Sequence, residues 1–244
     1  MKIFKKIFPI AYFFYFACIY IVFSFFLSPF IFCLVHGEKK YRNARRIKIF
    51  WAKWMCWCIG ISVQFRELAK IDYTKNYIIC ANHKSYLDIV LMYLIIPQDF
   101  AFLGKSELLR WPVIRIFFKR GVDIPVYRDS VSKAAKCLLI AKQEINKGRS
   151  IVVFPEGGWD NKENEMRRFK NGAFQLAIDT QCPVLPLVFK NNYDLFTDHK
   201  NLSGNAKPGI AKVVVYSPID TFDMSRKELV SLRDQTFQVI QKEL

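Results

Sequence analysis

SVSKAAKCLLIAKQEINKGRSIVVFPEGG, Ser130 to Gly158, decides how the rest of the chain is read. Its first part is an amphipathic helical segment closed by a glycine, Gly148. RSIVVFPEGG then reads as a buried strand that runs into a glycine-rich loop. The same alternation extends both ways. NYIICA, DFAFLG, GVDIPVYR, CPVLPLVF and IAKVVVYSPI read as strands. SYLDIVLMYLII, ELLRWPVIRIFFKR (interrupted early by Pro112), RFKNGAFQLAIDT and SRKELVSLRDQTFQVIQKEL read as helices. Strands alternating with helices predict an α/β domain over residues 69–244, with a mixed, largely parallel sheet flanked by helices. Ligands in such sheets sit in loops at the strand ends, where NHKSYLD and FPEGG fall.

Residues 1–68 differ in composition. FPIAYFFYFACIYIVFSFFLSPFIFCLV, Phe8 to Val35, carries no charge. It exceeds the ~20 apolar residues that one membrane crossing needs. It is also too long for the core of a secretory signal, so it reads as retained. Both flanks are basic, and within residues 1–70 twelve Lys/Arg face only Glu38 and Glu67. Basic charge around an apolar run favours an anionic membrane over nucleic acid as partner. Two readings stay open: a tilted span, or a segment that enters and leaves on one face, with a bend at Ser28-Pro29. RRIKIFWAKWMCWCIGI follows, with Ile47, Phe50, Trp51, Trp54, Met55, Cys58 and Ile61 on one helical face. Arg45, Arg46, Lys48 and Lys53 supply basic charge around it, and its three tryptophans suit headgroup level or a face packed on protein. The seven cysteines form no metal-spaced cluster and suit buried positions in a reducing compartment. The lone His36 and His199 form no metal constellation.

ANHKSYLD, Ala81 to Asp88, holds the third histidine. Inside one helix, residues five apart point away from each other. His83 and Asp88 meet if His83 lies in the turn before a helix whose N-cap is Ser85. A carboxylate on one ring nitrogen then fixes the tautomer, and the other nitrogen can take a proton from a hydroxyl. Ser85-x-x-Asp88 is also a capping-box pattern, so locally both a catalytic pair and a capped turn fit. No GxSxG serine is present, so the simplest chemistry is direct attack by a substrate alcohol on an acyl carbonyl. In FPEGG, the glycines Gly157 and Gly158 let backbone N–H groups approach an anion, while Glu156 would hold a hydroxyl. Lys105, Arg110, Arg128, Arg167, Arg168 and Lys170 are basic candidates near strand ends.

Together these blocks resemble the glycerophospholipid acyltransferases, specifically the 1-acyl-sn-glycerol-3-phosphate acyltransferases. Asn82, His83 and Asp88 match the family's Asn-His-x4-Asp, and Gly104, Lys105, Glu107 and Leu108 its Gly-Lys-x-Glu-Leu. Arg128 ends the next strand, Phe154 to Gly157 match Phe-Pro-Glu-Gly, and Phe169, Lys170, Gly172, Ala173 and Phe174 match Phe-Lys-x-Gly-Ala-Phe. Pro183 and Pro186 complete the ordered set. The resemblance implies His83 as general base and Asp88 as its orienter. It implies phosphate contacts from Lys105 and Arg128, and acceptor contacts from Glu156, Gly157 and Lys170. It further implies acyl carrier protein or coenzyme A thioester as donor, no metal or cofactor, and a membrane-associated enzyme facing the cytoplasm. The family's usual Thr-Arg after Phe-Pro-Glu-Gly is Gly158-Trp159 here. That departure leaves another lysophospholipid or an aminolipid open as acceptor. A non-catalytic lipid-binding protein is the remaining alternative.

Overall fold

The structure, a computed structural model, describes residues 2–111, 113–127, 130–158, 166–197 and 205–244. Pro112, Arg128, Trp159 and His199 lie outside the described residues.

Among the described residues, seven strands form one sheet: β1 (Ile61–Glu67), β2 (Ile78–Ala81), β3 (Phe100–Lys105), β4 (Ile124–Val126), β5 (Ser150–Val153), β6 (Val184–Phe189) and β7 (Gly209–Val215). Their order is β1-β7-β6-β2-β5-β3-β4, with every neighbouring pair parallel except β6 and β7. The central strands β2 and β6 are buried along their whole length, as parallel strands covered on both faces must be. Successive residues of β2 point to opposite cores. Ile79 and Ala81 enter one cluster, and Ile78 and Cys80 the other.

The first cluster is roofed by α2 (Lys40–Cys58) and α3 (Leu87–Ile95). The second is roofed by α5 (Val131–Asn146), α6 (Gly172–Thr180) and α8 (Leu229–Gln241). Two short helices, α4 (Ile114–Lys119) and α7 (Asn192–Leu195), connect strands. The helix expected from Glu107 and interrupted early by Pro112 is a 3-10 turn, Ser106–Arg110, followed by α4.

β1 lies within the stretch assigned by composition to the N-terminal region, yet it is the sheet's edge strand, paired with β7. The sheet therefore begins at Ile61 rather than after residue 68.

Helix α1 (Lys2–Leu34) runs through Pro9 and Pro29 without interruption, so no break occurs at Ser28-Pro29. Pro29 cannot donate to the carbonyl of Phe25, and Ser28 Oγ takes that carbonyl at 2.8 Å. α1 lies antiparallel on α2. Tyr15 Oη bonds the Cys58 carbonyl at 2.9 Å, Phe23 stacks on Trp54 at 4.0 Å, and Ile31 and Val35 share a cluster with Ala44. The opposite side of α1 exposes a run of apolar residues including Ile21, Phe25, Phe26, Phe30 and Phe32.

The basic residues of α2 divide into two sets. Arg42, Arg46 and Lys53 are exposed. Lys40 donates to the Arg120 carbonyl at 2.9 Å, Arg45 to the carbonyls of Pro97 and Gln98, and buried Lys48 pairs with Asp123 at 2.5 Å. Arg45 and Lys48 are thus spent on docking α2 to the sheet domain, not on lipid headgroups. Tyr41 extends this latch, lying 4.1 Å from the Arg149 guanidinium, which pairs with Asp99 and Glu144.

Candidate active site

The carboxyl ends of β2, β5, β3 and β4 stand side by side, and the loops leaving them carry the motif residues. β2 hands over to Asn82, whose side chain imitates a strand residue. Its Oδ1 accepts from Phe189 N at 2.8 Å and its Nδ2 donates to the Phe189 carbonyl at 2.9 Å. This extends the β2–β6 ladder by one side chain and fixes where the next residue starts.

That residue is His83. It lies in the turn before α3, and its Nδ1 stands 2.9 Å from Asp88 Oδ2. A carboxylate only accepts, so Nδ1 carries the proton and the basic lone pair is on Nε2. The ring stacks on Phe154, with centroids 3.9 Å apart and planes 14° apart.

Asp88 is fully buried in the first turn of α3. The same Oδ2 accepts the backbone N–H of Lys84 and of Ser85, each at 2.9 Å. Ser85 Oγ accepts from Leu87 N at 3.1 Å, so Ser85 caps α3 by its hydrogen bonds although the regular helix starts at Leu87. Catalytic pair and capped turn are one arrangement. Asp88 Oδ1 accepts from Asn192 Nδ2 at 2.7 Å, a contact from α7 that the sequence reading missed. Only the position of Asn192, three residues past a strand that neighbours β2, could have signalled it.

Glu156 is 3% exposed and sits in the loop after β5. Its Oε1 accepts the backbone N–H of His83 at 2.8 Å and its Oε2 that of Arg167 at 3.0 Å. It therefore ties three segments together. Burial pushes its carboxyl up to about 7; the two backbone N–H bonds and nearby Lys84 oppose this, and Asp88 adds to it.

Gly157 follows with φ +74°, and a Cβ there would lie 2.8 Å from Lys170 Cε, so the Lys170 side chain crosses directly over this glycine. The backbone N of Lys170 bonds the Pro155 carbonyl at 2.9 Å, which fixes the crossing. Lys105 is exposed at the end of β3, two strands from β2. The structure thus joins His83, Asp88 and Glu156 by direct bonds and joins Gly157 to Lys170. Lys105 is placed on the same edge of the sheet, and Arg128 lies outside the described residues. Among the described residues no group of three or more His, Cys, Asp or Glu side chains could hold a metal ion.

The Acyltransferase family model matches residues 62–190. A putative 1-acyl-sn-glycerol-3-phosphate acyltransferase of Caenorhabditis elegans is 34% identical over 191 residues, 77% of this chain and 71% of that protein. The Mus musculus 1-acyl-sn-glycerol-3-phosphate acyltransferase alpha is 30% identical, covering 83% of this chain and 70% of its own. The Borreliella burgdorferi protein of the same activity name is 31% identical, covering 73% and 72%. The crystal structure of the 1-acyl-sn-glycerophosphate acyltransferase from Thermotoga maritima superposes with a TM-score of 0.76 over 99% of this chain and 95% of that one. At 23% identity, that likeness concerns the fold.

Proposed function

The chain belongs to the acyltransferase family, and from that premise we propose that it transfers an acyl chain from a thioester to the free hydroxyl of 1-acyl-glycerol-3-phosphate, forming phosphatidic acid. The observation that carries the mechanism is the 2.9 Å contact between His83 Nδ1 and a fully buried, multiply bonded Asp88.

In this reading His83 Nε2 takes the proton of the acceptor hydroxyl as its oxygen attacks the thioester carbonyl. Asp88 stabilises the imidazolium that forms. The tetrahedral intermediate then collapses, the carbon–sulfur bond breaks, and the thiolate recovers the proton from His83. The thioester supplies the leaving group, so the step balances without a cofactor. Acyl carrier protein and coenzyme A thioesters both fit as donor. Lys170 over Gly157, with Lys105 at the end of β3, offers positive charge for the acceptor phosphate.

The enzyme works at a membrane surface. The uncharged part of α1, Ile7–Leu34, is long enough to cross a bilayer. Yet one side of α1 is held to protein from Phe13 to Ile31, by α2, by Phe196 and by Trp111. A crossing would drag α2, with exposed Arg42, Arg46 and Lys53, into hydrocarbon. α1 therefore lies in the plane of one leaflet, with its Phe25 and Phe26 side in lipid and the domain on the cytosolic face, where thioesters are found.

The test is an acyl-transfer assay on purified protein with a panel of lysolipid acceptors and both donor types. Formation of phosphatidic acid from the glycerol-3-phosphate acceptor is expected to dominate. Preference for a phosphate-free or aminolipid acceptor would redirect the assignment to the second reading raised by Trp159.

A further inference from the structure

We infer that Asn192 is a positioning residue of this reaction: it locks the rotation of the Asp88 carboxylate and thereby holds His83 in its productive tautomer and orientation. The inference rests on the reading of His83 as the general base.

Among the described residues, three donors of the His83–Asp88 turn converge on a single oxygen. Asp88 Oδ2 receives His83 Nδ1, Lys84 N and Ser85 N. A carboxylate held by one oxygen can still pivot about it. The second oxygen is fixed by Asn192 Nδ2 at 2.7 Å, 104 residues away in sequence. The donor must be the amide nitrogen, because the amide oxygen would face the carboxylate with like partial charge.

The support behind Asn192 is rigid. The preceding Asn191 clasps β7, its Oδ1 accepting from Lys212 N at 2.8 Å and its Nδ2 donating to the Ile210 carbonyl at 2.9 Å. At the other end of α7, the Phe196 carbonyl accepts from Ser85 Oγ, and the Phe196 ring packs on Phe13 and Phe16 of α1. α7 therefore bridges the membrane helix and the turn that bears the base.

Asn192 is itself buried, and its Oδ1 has no hydrogen-bond partner among the described residues. An orphaned buried oxygen disfavours the folded state, so this amide is a poor device for stability alone. A leucine of similar size would remove the orphan amide oxygen, but it would also leave the buried Asp88 Oδ1 without this donor. The leucine variant therefore loses stability as well as positioning, and the isosteric Asn192→Asp separates the two through its pH profile.

The test compares Asn192→Leu, Asn192→Asp and His83→Ala with the full-length wild type, using lysophosphatidic acid and acyl-coenzyme A. Asn192→Leu is expected to lower kcat by about ten- to a hundredfold with both KM values little changed, and to lower the melting temperature through the unpaired Asp88 oxygen. Asn192→Asp is isosteric but can donate to Asp88 only when protonated, and two adjacent carboxylates share one proton. Its kcat is expected to fall as pH rises, giving a descending limb that wild type and Asn192→Leu lack. The other ionisable groups nearby, His83, Lys84 and Glu156 across the turn and Tyr193 and Asp194 on α7, are common to all these proteins except His83→Ala. If His83→Ala is inactive but both Asn192 variants match wild type in kcat and pH profile, the role of Asn192 is overturned while the base stands. If His83→Ala keeps full activity, the base reading itself falls. Should Asn192→Leu not fold, the pH profile of Asn192→Asp decides alone.

Discussion

Glu156 Oε1 accepts the backbone N–H of His83 at 2.8 Å, so the loop after β5 holds the backbone of the base while Asp88 holds its ring. The carboxyl that does this titrates at about 7, raised first by burial. In the unfolded chain it titrates near ~4.3. A raised carboxyl pKa contributes stability below the unfolded value and loses it as pH climbs to the folded one. Stability is therefore expected to fall by about 3 kcal/mol between roughly pH 4.5 and 7 on account of this group. Glu156→Gln should flatten that slope in melting temperature against pH. An unchanged slope would assign it to other groups.

Gly157 occupies a left-handed conformation under the Lys170 side chain. Alanine there meets backbone strain of ~1–2 kcal/mol and must push Lys170 aside. Gly157→Ala should raise KM for the phosphate-bearing acceptor several-fold while KM for the donor stays constant. Acceptor KM measured at saturating donor decides this, and an unaltered value would remove Lys170 from acceptor binding.

The buried Lys48–Asp123 pair joins the membrane hairpin to the sheet. Removing one partner strands the other, since Asp123 also accepts Phe102 N at 3.1 Å. Lys48→Met should destabilise by about 3–5 kcal/mol. Lys48→Met with Asp123→Asn should recover much of that loss. Thermal unfolding of the two variants in one detergent checks both expectations, and equal melting temperatures would show that the pair does not latch the hairpin.

Phe25 and Phe26 are 72% and 66% exposed on the outer side of α1. Replacing both with serine should weaken binding to anionic vesicles by more than tenfold, at ~25 cal/mol per Å² of apolar surface withdrawn from lipid, without unfolding the domain. Flotation with vesicles measures this. In-plane insertion also places tags at the N and C termini on the same side of the bilayer. Protection of only one tag from protease would establish a span.

Much of this was legible in the sequence. Alternating strand and helix patterns announced the parallel sheet, and the His83-to-Asp88 spacing with Ser85 between announced the capped turn. β1 was missed although Ile61, Val63 and Phe65 alternate with Ser62, Gln64 and Arg66, because the helical pattern before it extends through Ile61. Arg45 and Lys48 read only as basic charge around the helix, because sequence does not show which way each long side chain turns. The Asn192 bond to Asp88 and the Glu156 clamp on the His83 backbone depend on loops over 70 residues apart meeting at strand ends, which no local pattern encodes.

The most direct measurement is single-turnover acyl transfer by purified wild type and His83→Ala at saturating 1-acyl-glycerol-3-phosphate and acyl thioester. Wild type is expected to form phosphatidic acid, and His83→Ala to be slower by about 10²–10⁴ with acceptor affinity retained. Equal rates in the two proteins, or no phosphatidic acid from wild type, would contradict the assignment of His83 as the base of this transferase.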